Sequence, residues 1–187
     1  MSTALLAYRP TGADCSPLVR REEVPGPVWT GMVLDGALVP LWDGVAVRAG
    51  VEVTPAIRLA AVGGLVPRRG VVGRASAAWV HAGGPRPDRV DVLVPVGARR
   101  TDPHPARRAA EGPLPDEDVL DLGPGRVTTV QRTGLDVARY APAEEAMGRL
   151  AGLIAVGFEP GTALAALDRL RGERGTLRAR AVLLRLG

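Results

Sequence analysis

The stretch Arg126-Val127-Thr128-Thr129-Val130-Gln131-Arg132-Thr133-Gly134-Leu135-Asp136-Val137-Ala138-Arg139 changes its period in the middle. Arg126 to Thr128 has the β-branched character of a short strand. Thr129 then offers a hydroxyl suited to the orphan amides at a helix start. From Val130 the apolar residues fall on one helical face, with Leu135, Val137 and Ala138, and the helix runs to about Tyr140 before Pro142 breaks it. Arg132 and Asp136 stand four apart, a spacing that pairs them on the exposed face. The stretch divides the chain: mixed elements precede it and helices follow.

After it, 143–156 is amphipathic, with Ala146, Met147, Leu150, Leu153 and Ile154 inward. Pro160 starts a further helix carrying Leu164, Leu167 and Leu170, which Gly172 and Gly175 end. Leu177 to Leu186 forms the last helix. Upstream, 90–95 reads as a strand with Val90, Val92 and Val94 on one face. Another short strand is expected near Arg107 to Ala110. Thr54-Pro55 marks a helix start and Gly63-Gly64 its stop; Ser76 caps a shorter helix that closes at Gly83-Gly84. Val28 to Leu34 and Ala37 to Trp42 flank Asp35-Gly36 as a predicted hairpin, with Val45 to Val47 a further strand. The fold class is α+β: a small winged-helix-like β part at the N-terminus, a mixed central sheet and a helical C-terminal third. The division expected is 1–27 irregular, with one short element near Leu18 to Glu23, then 28–84 winged-helix-like and 85–187 α+β.

A chain of 187 residues hides roughly 70% of its unfolded surface on folding. Aromatics are only 3%, so the core rests on Val, Leu and Ala. No apolar run approaches the roughly 18 residues of a membrane span, and Ala4 to Ala7 lacks the preceding basic segment of an ordinary signal peptide. All 24 basic residues are Arg, a composition that a genome rich in G and C produces. The net charge of +4 permits nucleic-acid binding without demanding it. Cys15 is the single cysteine and there are two histidines, so neither an internal disulfide nor a structural zinc site is expected. A reducing cytoplasm is the natural compartment.

Few residues suggest catalysis. His81 stands at a helix end, where its protonated form favours the dipole. His104 lies in a proline-bounded loop, and no nucleophile elbow or phosphate-loop motif occurs. Asp116, Glu117 and Asp118 suit the first turn of a short helix. Asp88 and Asp91 resemble in outline the acids of a nuclease strand, but the lysine such sites use is absent. Arginine patches remain: Arg68, Arg69 and Arg74 around one strand, Arg99 and Arg100 after another, and Arg174 and Arg178 among the C-terminal helices. The planar fork of Arg suits phosphates and guanine edges, although codon usage alone also yields such patches.

The 126–139 stretch resembles a segment of actinobacterial proteins of the AbiEi family, antitoxins of type IV toxin–antitoxin systems. Val71 to His81, Val90 to Pro95 with Arg99-Arg100, and Gly172 to Arg180 are similar to further segments of that family, in the same order. The resemblance spans roughly residues 54–187. It implies a regulator with a winged helix-turn-helix on operator DNA and a C-terminal domain that counters a nucleotidyltransferase-like toxin. Residues 1–53 read as strands and turns rather than as that helix pair, so the 54 and 76 helices would supply it. DNA contacts then fall to Arg68, Arg69, Arg74, Arg99 and Arg100, and partner contacts to Arg174 and Arg178, with no catalytic residue, metal or cofactor. Two other classes stay open: an interaction module that meets a toxin or another partner without DNA, and a degenerate nuclease.

Overall fold

The computed structural model describes residues 16–98, 102–170 and 172–186. Strand β1 (Leu18–Arg20) is followed by a single 3-10 turn, helix α1 (Gly26–Leu34) and the hairpin of β2 (Leu38–Trp42) and β3 (Val45–Arg48). These strands form an antiparallel sheet in the order β1-β3-β2. The predicted strand at Val28 to Leu34 is thus a helix. Pro27 occupies its first turn, where a missing N–H is harmless. Asp35-Gly36 is its stop rather than a hairpin turn. Gly36, at φ +70°, donates its N–H back to the Val33 carbonyl at 3.1 Å, as a glycine just past a helix end does. The hairpin forms one turn later, at Asp43-Gly44, with Gly44 at φ +67°.

Helix α2 (Pro55–Val62) begins as expected, with the Thr54 hydroxyl accepting from the Ile57 amide at 3.3 Å. Then come β4 (Val71–Val72), α3 (Arg74–Ala82), β5 (Val90–Pro95), β6 (Arg107–Gly112), β7 (Val119–Asp121) and β8 (Arg126–Thr128). They make a mixed five-stranded sheet ordered β6-β5-β4-β8-β7. Strands β4 and β5 are antiparallel partners on either side of residue 84, so the sheet crosses the division expected there. The chain closes with α4 (Val130–Tyr140), α5 (Ala143–Ile154), α6 (Pro160–Arg169) and α7 (Thr176–Leu183). Thr129 caps α4, accepting from the Arg132 amide at 3.3 Å. The architecture is α+β, with the last third helical. No helix among the described residues is long and apolar enough to cross a membrane.

Two hydrophobic cores meet at α3. The first joins Trp42, Val45 and Val47 to Leu59 and Val62 of α2, Trp79 and Val80 of α3, and Val72, Val90, Val92 and Val127 of the central sheet. Trp42 and Trp79 touch with ring centroids 5.2 Å apart. The second core gathers Leu135, Leu150, Leu153, Phe158, Leu167 and Leu183 around Ala78. Ile154, expected inward, is 41% exposed. Ser76 is no cap: α3 starts two residues earlier, and its hydroxyl accepts from the Asp91 amide at 2.8 Å and donates to the Arg89 carbonyl at 3.3 Å. A buried polar residue in the first turn thereby ties α3 to β5.

Phe158, the single phenylalanine of the chain, lies directly on Gly134 of α4, where an added Cβ would overlap its ring. Gly134→Ala should therefore destabilise the fold by about 3 kcal/mol despite the better helix propensity of alanine. Urea unfolding followed by circular dichroism measures it; a variant as stable as wild type would mean the ring has room to move.

Candidate functional site

The arginines singled out in the sequence lie at opposite ends of the central sheet. Strands β4 and β8 run parallel, with Val72 beside Val127. Arg68 and Arg69 precede β4 and Arg126 opens β8, so these three share one end. Arg68 and Arg69 are exposed. Arg68 and Arg126 line a notch of about 190 Å³ with Leu59, Gly63, Val66, Pro67, Gly70, Pro124 and Gly125. No carboxylate lines that notch. In the sequence, Arg126 closes the Gly123-Pro124-Gly125 turn and opens a strand; its place beside Arg68 follows from the pairing of β4 with β8, which no local signal discloses.

Arg74 follows β4 and therefore sits at the other end. Its guanidinium stacks on the Tyr140 ring, 4.5 Å from the centroid. It lines a separate cavity of about 380 Å³ with Asp91, Arg108, Asp136, Tyr140 and Arg149. The grouping of Arg74 with Arg68 and Arg69 on one DNA-facing side is not what the fold produces. Helix α3 is buried from Ser76 to His81, so it offers no face to a DNA groove. Arg99 and Arg100 lie outside the described residues.

The Arg132–Asp136 pair is formed, but in the interior rather than on an exposed face. Arg132 Nε donates to Asp136 Oδ2 at 2.9 Å, Nη1 to Asp118 Oδ2 at 2.6 Å, and Nη2 to the Pro113 carbonyl at 3.3 Å. Burial pushes the Asp136 carboxyl up, and the Arg132 guanidinium only partly restores it. Burial also opposes the charge on Arg132, yet Asp136 and Asp118 more than offset this and raise its pKa. The acidic run at 116–118 does form a short 3-10 turn, and through Asp118 it closes over Arg132.

His81 departs from its expected role. Its ring is buried and Nε2 lies 2.7 Å from the Thr128 carbonyl, with which Thr133 Oγ1 also bonds at 3.1 Å. Burial pulls its pKa below the ordinary histidine value; the Thr128 carbonyl works the other way and nearby Arg58 adds to the lowering. The neutral imidazole is therefore a peg between α3 and β8, not a charge on the helix dipole. Asp91 is buried, its carboxyl pushed up by that burial and drawn down by Arg108, Arg74 and Arg149. Asp88 is exposed, and no three His, Cys, Asp or Glu side chains converge on a metal-sized site among the described residues.

In the C-terminal helices Arg174 and Arg178 are exposed, on either side of Leu177, which is 87% exposed. The Arg174 carbonyl is held by Arg139 Nη2 at 2.9 Å, and Arg139 also pairs with Glu173 at 2.8 Å. Arg180 is taken up by Asp168 at 2.7 Å.

No protein-family model matches the chain, and no curated protein matches it. Among solved structures, it is similar to the crystal structure of the RV2827C protein from Mycobacterium tuberculosis. The TM-score is 0.37 and the identity 17%, over 91% of this chain and 77% of that one. A likeness of that size carries neither fold family nor function from one to the other.

Arg132→Ala leaves Asp136 buried without its hydrogen-bonded counter-charge, and should lower stability by about 3 kcal/mol. Denaturant titration reads this directly, and a loss under about 1 kcal/mol would mean the network does not hold α4. His81 adds a pH signature. Below about pH 6.5 the unfolded chain takes up a proton that the native imidazole resists, so its contribution is complete above that pH and falls as pH drops. Asp91 and Asp136, with raised carboxyls, act in the opposite sense, so wild type must be compared with His81→Gln at each pH. Between about pH 6.5 and 5 the variant should lose less stability than wild type; parallel curves would show that the histidine titrates normally.

Proposed function

We propose that this chain is a DNA-binding regulator of the AbiEi antitoxin kind that acts without catalysis. The observation that carries the reading is the carboxylate-free notch of Arg68 and Arg126 with exposed Arg69 beside it. Arginines on a notch that no carboxylate lines can give their donors to phosphate oxygens, and the glycines and prolines around them let a backbone approach closely. This is a loop-borne phosphate grip at a sheet end rather than a helix in a groove. Such contacts position a protein on a duplex but carry little sequence information. The similarity of 54–187 to AbiEi segments supports the antitoxin side of the reading.

A second feature favours a protein partner. Leu177, 87% exposed, and Leu184, 63% exposed, lie on and just after α7, among Arg174 and Arg178. Exposed leucines with arginines beside them suit an acidic protein surface. In this reading that partner is a nucleotidyltransferase-like toxin, and a module that kept only this surface would bind it without DNA.

Fluorescence anisotropy on the upstream DNA of the chain's own gene, at two salt concentrations, tests the first reading. Affinity should fall steeply with salt, and Arg68→Ala and Arg126→Ala should each reduce the slope of log K against log salt by about 1. Arg74→Ala, at the other sheet end, should leave that slope alone. Wild-type affinity in an Arg68→Ala/Arg69→Ala/Arg126→Ala triple variant would sink the assignment, and absence of DNA binding in the wild type would leave the partner surface as the function.

A further inference from the structure

The cavity beside Arg74 is built differently from the notch. It lies between the start of α3, the 85–88 segment and the α4–α5 junction. Two of the side chains that line it each carry a buried polar atom with no hydrogen-bond partner among the described residues: Asp136 Oδ1 and Arg74 Nε. Asp136 is only 1% exposed, and Arg132 satisfies its other oxygen alone. Buried polar atoms left unpaired are rare in native proteins because each forfeits its hydration. Across the same cavity, the buried Asp91 carboxylate is loosely paired with Arg108, whose Nε lies at 3.6 Å. Arg74 is also the one described residue other than glycine with a positive φ, at +51°. A left-handed backbone is unfavourable for arginine, and such outliers gather where a ligand is held.

We propose that this cavity binds a small zwitterionic molecule of the free α-amino acid kind, with its ammonium on Asp136 Oδ1 and its carboxylate on Arg74. A carboxylate oxygen only accepts and a guanidinium nitrogen only donates. One molecule that satisfies both must bring a donor and an acceptor together. Formal charge narrows the class further. Arg74, Arg86, Arg108 and Arg149 face Asp88, Asp91, Asp136 and Glu145, so the lining is balanced and favours a ligand that is neutral overall but charged at both ends. A volume of about 380 Å³ is far more than one water needs and lies at the small end of ligand sites. Arg149 braces the wall, donating to the Pro85 carbonyl at 3.0 Å while pairing with Glu145 at 2.8 Å. The cavity shares no residue with the Arg68–Arg126 end, and the site stands whether or not the chain binds DNA.

Thermal unfolding of the full chain with each of the common L-amino acids, and with acetate and ethylamine as single-charge controls, tests the proposal. At least one neutral amino acid should raise the melting temperature saturably, and neither control should. Arg74→Gly and Asp136→Asn should each weaken that amino acid at least about tenfold. Glycine accepts the left-handed backbone at position 74, so this variant keeps the fold while losing the guanidinium. No saturable shift with any amino acid, an equal shift with acetate or ethylamine, or a shift that survives in Arg74→Gly overturns the assignment.

Discussion

Helix α3 is buried along Ser76 to His81, and it belongs to both hydrophobic cores. Trp79 and Val80 face the sheet and the tryptophan pair, while Ala78 admits the C-terminal helices closely. The polar side chains at the ends of its enclosed stretch, Ser76 and His81, are both satisfied. Ser76 bonds to β5 and His81 to β8, with one bond network at each end. Everything else is arranged around this rod. The sheet lies along one flank, α4 and α5 along another, and α2 is tied to it by Arg58, whose Nη1 donates to the Val80 carbonyl at 3.0 Å.

This arrangement explains the division of the arginines. Arg69 and Arg74 are close in sequence, but β4 stands between them, and extended backbone advances about 3.3 Å per residue. One set therefore faces outward from a loop, while Arg74 is drawn in against Tyr140, at the edge of a charge-balanced interior. Charge count along the chain could not distinguish them. The distinction rests on which end of a strand each residue occupies and on whether carboxylates converge on it.

Elements whose signal is local were legible in the sequence. Thr54 and Thr129 cap the helices they were expected to cap, Val90, Val92 and Val94 share a buried face, and the strand at Arg107 is present. The failures share a cause. Asp35-Gly36 and Asp43-Gly44 carry the same local preference for a left-handed glycine, and only the preceding prolines and the packing of Trp29 decide that the first ends a helix. Ser76 suits a cap on sequence grounds, yet Gly73 caps because the Arg89–Asp91 backbone claims the hydroxyl. The spacing of Arg132 and Asp136 disclosed their pairing but not their burial, which depends on the 113–118 segment returning over them. Of the candidate sites, the exposed arginines could be read from composition. The Asp136–Arg74 cavity could not, since it assembles residues from three helices and two strands.

The seam between β4 and β8 has a consequence for how the molecule breathes. Only Val72 and Val127 are paired there, so the sheet consists of two ribbons, β6-β5-β4 and β8-β7, joined at one point. Left to itself such a seam would open readily, and the ribbons would exchange their amide hydrogens independently. Because α3 is pegged to one ribbon by Ser76 and to the other by His81, they cannot part without pulling a buried hydroxyl or imidazole from its partner. The thinnest place in the sheet is thus spliced by a helix, and local opening there becomes part of global unfolding.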